Sequence, residues 1–99
     1  MSKRITFLSR MTVKEGFEAQ FERLTAQLQR DTQANEPGAI YYEFFKLREP
    51  RRYAVLESFP DEATEHAHLE TPWFKAAVPG IIESLDGTYV REYLDQYGA

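Results

Sequence analysis

Ile5, Phe7, Ser9 and Met11 alternate with Thr6, Leu8 and Arg10. This period of two predicts a first strand over Ile5–Met11. Thr12 followed by Glu15 fits a capping box, which would start a helix there. Phe17, Phe21, Leu24 and Leu28 then recur every three or four residues, with Glu18, Gln20, Glu22, Arg23 and Gln27 opposite. The spacing predicts an amphipathic helix ending near Asn35. Glu36-Pro37-Gly38 stops it, because proline cannot continue a helix and glycine tolerates the turn.

Ala39–Leu47 and Arg52–Phe59 are rich in aromatic and β-branched residues, and the link Arg48-Glu49-Pro50-Arg51 is short and polar. They read as an antiparallel hairpin. Ile40, Tyr42 and Phe44 share one face, and Tyr41, Phe45 and Leu47 the other, so both faces need cover. Pro60-Asp61 opens a second helix, with Asp61 as N-cap, that carries His66 and His68 to about Glu70. Phe74, Ala77, Val78, Ile81, Ile82 and Leu85 mark a third helix after Thr71-Pro72, and Pro79-Gly80 should kink or loosen it. Asp86-Gly87 turns into a last strand over Thr88–Tyr97, with Tyr89, Tyr93 and Tyr97 on one side.

The order β-α-β-β-α-α-β predicts an α+β fold of the ferredoxin-like kind, a single domain over residues 1–99. Helices should cover one face of a four-stranded antiparallel sheet. The other face points to a second copy, the two sheets closing as a dimeric α+β barrel. An aromatic content of 14% suits such an interface.

Composition narrows the chemistry. A formal net charge of -4 argues against nucleic acid, which selects clustered Lys and Arg. Arg48, Arg51 and Arg52 read as a solvated hairpin tip. The chain has no cysteine, which removes disulfides, thiolate nucleophiles and Cys-type zinc sites. It has no apolar run near ~18 residues and no signal-peptide layout, so a cytoplasmic, membrane-free protein is the expectation.

Two polar residues among aromatics invite a chemical question. A neutral imidazole at His68 would titrate near ~6.5 and take a proton at physiological pH. It reads equally as a helix-surface residue or one bonded to Thr71. Glu57 shares a strand face with Tyr53, Val55 and Phe59. A carboxylate there is either paired with Arg52, Arg10 or Arg91, or held in a pocket with a raised pKa. Tyr42 and Trp73 suit a planar ligand or a plain core. A metal site is not expected, because His66 and His68 point about ~200° apart on their helix. No phosphate loop, Ser-His-Asp set or nucleophile elbow is present.

Glu36-Pro37-Gly38 with Tyr42, Arg52-Tyr53-Ala54-Val55-Leu56-Glu57, Asp61-Glu62-Ala63 through His68-Leu69, and Thr71-Pro72-Trp73-Phe74 together resemble the antibiotic biosynthesis monooxygenase family, which includes the quinol monooxygenases. The resemblance spans nearly the whole chain. It implies a homodimer that oxygenates a quinol-like or polyphenolic aromatic without flavin, haem or metal. His68 would be the base or hydrogen-bond partner of the phenolic oxygen, and Glu57 would orient the substrate or a neighbouring side chain. Tyr42, Phe59 and Trp73 would supply apolar walls. Phe59 stands where many members carry Trp, and the first strand lacks the Asn of the haem-degrading relatives, which counts against haem degradation. Two other readings fit the same fold. One is an isomerase using His68 and Glu57 on a small carbonyl compound, which if phosphorylated would need two or more basic groups. The other is a non-catalytic, stress-related dimer that binds a small hydrophobic ligand.

Overall fold

The computed structural model describes residues 3–98. Its elements run β1 (Ile5–Thr12), α1 (Glu18–Asn35), β2 (Tyr41–Lys46), β3 (Arg52–Phe59), α2 (Glu62–Leu69), α3 (Pro72–Ser84) and β4 (Val90–Tyr93). The strands form one antiparallel sheet in the order β2-β3-β1-β4, as the ferredoxin-like reading requires.

Strand parity decides what each face does. Phe7, Met11, Tyr42, Tyr53, Val55 and Phe59 point to the helical layer and are buried there with Phe21 and Leu28 of α1 and Ala77 and Ile81 of α3. The opposite parity leaves Tyr41, Phe45 and Val90 exposed. Ile40 lies just before β2 and is also exposed, so it does not join Tyr42 and Phe44 under the helices.

Helix α1 begins later than the Thr12–Glu15 capping pattern predicts. Thr12 is the last residue of β1, and the chain stays extended through Val13, whose N–H bonds Arg51 O at 2.8 Å and which bridges Leu85. Val13 is fully buried, and that burial outweighs a single side-chain cap. The reversal comes at Gly16, whose φ of 90° suits glycine, and Phe17 takes the N-cap position with no side-chain cap bond.

Helix α3 runs through Pro79, and Gly80 brings it close to α1. A Cβ at this position would lie 2.5 Å from Leu24 Cδ1, so its absence lets α1 and α3 approach closely. Gln20 Nε2 donates to Gly80 O at 3.1 Å and strengthens the crossing. Strand β4 is shorter than the expected Thr88–Tyr97. It sits at the sheet edge beside β1 alone, and β1 runs out at Ile5 soon after the Phe7–Tyr93 pair. Tyr97 lies beyond the strand, fully exposed.

Candidate functional site

Two neighbouring clusters grow out of this frame. The first starts where α1 ends. Glu36 is its C-cap, with its N–H bonded to Thr32 O, and Ala39 N–H returns to Glu36 O at 3.0 Å across Pro37-Gly38. This turn fixes where the Glu36 carboxylate points. Helix α2 packs against the turn so closely that a Cβ on Gly38 would meet Thr64 Cγ2 at 3.2 Å. Asp61 accepts from Thr64 Oγ1 at 2.7 Å and caps α2 by accepting from Thr64 N at 2.8 Å, and those bonds hold its carboxyl below the usual range.

One face of α2 then delivers His68 to Glu36. His68 Nδ1 lies 3.0 and 2.9 Å from the two carboxylate oxygens, and Trp73 Nε1–H donates to Glu36 Oε2 at 2.6 Å. The His68 side chain is 1% exposed, which rules out the helix-surface reading. Thr71 bonds the His68 carbonyl at 2.8 Å, not its ring, and its Oγ also caps α3 by accepting from Phe74 N. That link sets Phe74 beside the imidazole. Tyr42, Phe59 and Phe74 surround the ring, with centroids 4.9, 5.6 and 5.0 Å away. Its Nε2 is buried with no hydrogen-bond partner among the described residues.

The second cluster lines a cavity of ≈ 170 Å³ between the sheet and the helices. Tyr42, Phe44 and Val55 wall it from the sheet, Leu28 from α1, and Phe74 and Ile82 from α3. Tyr89 and Arg91 close the β4 side, and among the described residues lining it only Arg91 and Glu57 carry charge. Register explains this pairing. Glu57 stands opposite Tyr42 and Phe7, and Arg91 opposite Ser9, all on the helical parity. Arg10 and Arg52 have the other parity, where they pair with Glu92 and Glu49 instead. Arg91 stacks over Phe7, its guanidinium carbon 4.0 Å from the ring centroid, and Nε–H donates to Ser9 Oγ at 3.4 Å.

Glu57 has no hydrogen bond and no ion pair within 4.0 Å among the described residues. Burial pushes its carboxyl up to about 8, the Arg91 charge opposes that rise, and Glu65 and Glu36 add to it. Burial likewise raises the Tyr42 phenol well above its ordinary value, so it keeps its proton. Phe59, Trp73 and His68 do not line the cavity. Tyr42 and Phe74 do, and His68 sits one side chain behind them. His66 is exposed, and no group of three His, Asp or Glu suited to a metal ion occurs among the described residues.

The sequence marks Glu36 as a turn residue and Phe74 as part of an apolar stripe, and both belong to the motifs that resemble the family, but neither is singled out as a site residue. Nothing in the local pattern marks Glu36 as a partner of His68, since the two meet only when α2 folds over the α1–β2 turn.

Among the described residues, no helix is long and apolar enough to cross a membrane. The model of a family described as antibiotic biosynthesis monooxygenase matches residues 4–80. Among solved structures, a putative antibiotic biosynthesis monooxygenase from Caulobacter crescentus CB15 is 30% identical, covers 98% of this chain and 92% of its own, and superposes with a TM-score of 0.89. A conserved protein from Methanosarcina mazei Go1 (24% identity, 97% and 95% covered, TM-score 0.83) and a putative monooxygenase from Nitrosomonas europaea (14% identity, 97% and 92% covered, TM-score 0.87) share the fold. No curated protein matches the chain. With the split βαβ fold in place and the family model matching from β1 into α3, the chain belongs to the antibiotic biosynthesis monooxygenase family.

Proposed function

We propose that the protein is a cofactor-independent monooxygenase acting on a single-ring quinol or polyphenol, which binds in the cavity between Tyr42, Phe74 and Arg91. One observation carries this reading: a ring-sized aromatic cavity holds one buried carboxyl and one guanidinium and no other charge among its described walls. A void of about 150 Å³ accommodates benzene, so ≈ 170 Å³ admits one aromatic ring and little more.

The chemistry follows from those two groups. The Arg91 guanidinium stabilises a phenolate oxygen, and Glu57 takes the phenolic proton. A base with a pKa of about 8 is well matched to that transfer near neutral pH. The bound quinol anion passes one electron to dioxygen. The semiquinone and superoxide so formed join at a ring carbon, and the hydroperoxide loses water. A hydroquinone and dioxygen thus become a hydroxyquinone and water, one oxygen atom going to each product. The substrate supplies every electron, and the protein supplies the proton transfer, the dry site and the orientation. His68 stands behind the wall as hydrogen-bond partner, while Phe59 and Trp73 support it from outside the cavity.

A phosphorylated isomerase substrate fits less well, because Arg91 is the one basic group on the cavity wall and Arg10 and Arg52 lie on the far face. We also place the protein as a homodimer joined through the sheet face that exposes Tyr41, Phe45 and Val90. Light scattering should give twice the chain mass, and Phe45→Glu should shift it to the monomer.

Dioxygen uptake by metal-free protein with a panel of hydroquinones tests the reaction. Uptake above autoxidation should fall at least about tenfold in Glu57→Gln, and kcat/KM should rise with pH through about 8 as Glu57 loses its proton. No uptake with any hydroquinone would sink the oxygenase reading. Ligand binding that survives His68→Ala without turnover in either form would favour the non-catalytic binder.

A further inference from the structure

His68 is the one aromatic-caged imidazole of the chain, and half of its hydrogen-bonding capacity is unused. Its Nδ1 faces a carboxylate at 2.9 Å, while Nε2 is buried without a partner among the described residues. Leaving a buried polar nitrogen unpaired is destabilising, so the fold sustains that cost at this site. Three rings surround the imidazole. Phe59 is fully buried, whereas Tyr42 and Phe74 also line the cavity, so those two rings stand between the imidazole and the cavity.

We propose that Glu36 is the positioning residue of the site: it holds His68 as the Nδ1–H tautomer and so keeps the Nε2 lone pair free to accept a hydrogen bond from a substrate hydroxyl once the Tyr42 and Phe74 rings move apart. The inference rests on the reading of the cavity as a quinol site, and it adds which functional group is recognised there. A carboxylate accepts and cannot donate, so the nitrogen facing it carries the hydrogen. Trp73 makes that assignment firm. Its indole N–H donates to Oε2 at 2.6 Å, which stops the carboxylate from rotating away, and the C-cap geometry of α1 anchors it from the other side. With Nδ1 committed, Nε2 of the neutral ring is an acceptor. It therefore suits a phenolic O–H and not a quinone carbonyl, which favours the reduced substrate over the oxidised product.

Glu36→Gln separates this role from a structural one. Trp73 keeps the amide oxygen at the Oε2 place, 2.9 Å from Nδ1, and the amide nitrogen falls near the Oε1 place at 3.0 Å, so Nδ1 meets an acceptor and a donor together. The variant retains the packing and lets the other tautomer form. In wild-type protein, ¹⁵N–¹H correlation at a pH where the ring is neutral should show Nε2 as the unprotonated nitrogen. Anaerobic titration with hydroquinone should then shift that resonance. In Glu36→Gln a protonated Nε2 should appear, with kcat down about tenfold and KM changed by less than about threefold. Trp73→Phe leaves the carboxylate in place, and should keep the tautomer with a smaller loss of kcat. A protonated Nε2 in wild type, no shift with saturating hydroquinone, or an unchanged tautomer and kcat in Glu36→Gln would each overturn the proposal. A tautomer switch and ligand shift in a protein that never consumes dioxygen would leave Glu36 in its role and remove the oxygenase reading alone.

Discussion

Glu36 and Glu57 are two shielded glutamates on the same side of one sheet, and their surroundings are opposite. Glu36 accepts from Trp73 and His68 and closes a tight cluster. Glu57 is 9% exposed, its carboxyl accepts no hydrogen bond among the described residues, and it lines the cavity with Arg91. A carboxylate surrounded by donors stiffens what it touches. One that is desolvated without donors holds its proton near pH 8 and remains available for a proton transfer. One cluster is therefore built to hold a geometry and the other to change its charge.

Deleting a member from each cluster should expose the contrast most strongly. His68→Ala removes a ring packed against three aromatics and leaves the Glu36 carboxylate with Trp73 alone, so it should cost about 3–5 kcal/mol in urea unfolding. A loss under about 1 kcal/mol would mean that the cluster does not hold the fold.

The next effect should have the reverse sign. The Glu57 pKa is raised in the folded protein, so its stabilising contribution is complete below about 4.5 and is lost as pH rises through about 8. Glu57→Gln removes that dependence. Its melting temperature should match or exceed that of wild type at about pH 9 and gain less on acidification. A wild-type protein whose stability rises between about pH 5 and about pH 8 faster than the variant's would contradict a desolvated, proton-holding Glu57.

A smaller effect belongs to Arg91. Arg91→Met keeps an apolar stem over Phe7 but removes the charge beside Glu57. Fold stability should change by under about 1 kcal/mol, while kcat/KM for a hydroquinone drops about tenfold and the pH of half-maximal rate moves upward. His66→Ala is the reference for both clusters. It sits two residues from His68 but is exposed, and it should change stability by less than about 0.5 kcal/mol.

Much of the fold was legible because its signals are local. The period-two runs of β1 and β3, the apolar stripe of α1 and the Asp61 cap of α2 each depend on a few adjacent residues. The structure reproduces β3 at Arg52–Phe59 and α1 to Asn35. The misreadings arose where distant contacts outweighed local preference. Val13 extended β1 past a plausible cap, and the length of β1 limited β4. The site was half legible for the same reason. Tyr42, Glu57 and His68 stood out as polar or aromatic residues in apolar settings. Which arginine Glu57 meets, and that His68 meets Glu36, depend on strand order and on α2 lying across a turn.

The sequence alone determined the order of elements, the parity of each strand and therefore the membership of each sheet face, because these follow from backbone periodicity and steric rules that act over a few residues. Only the tertiary structure decided that His68 lies one ring behind the cavity, that its Nδ1 faces the Glu36 carboxylate to which Trp73 donates, and that Glu57 is desolvated near Arg91. Hydrogen bonding and desolvation depend on which groups meet across 32 or 37 residues of chain, and no local pattern encodes those meetings.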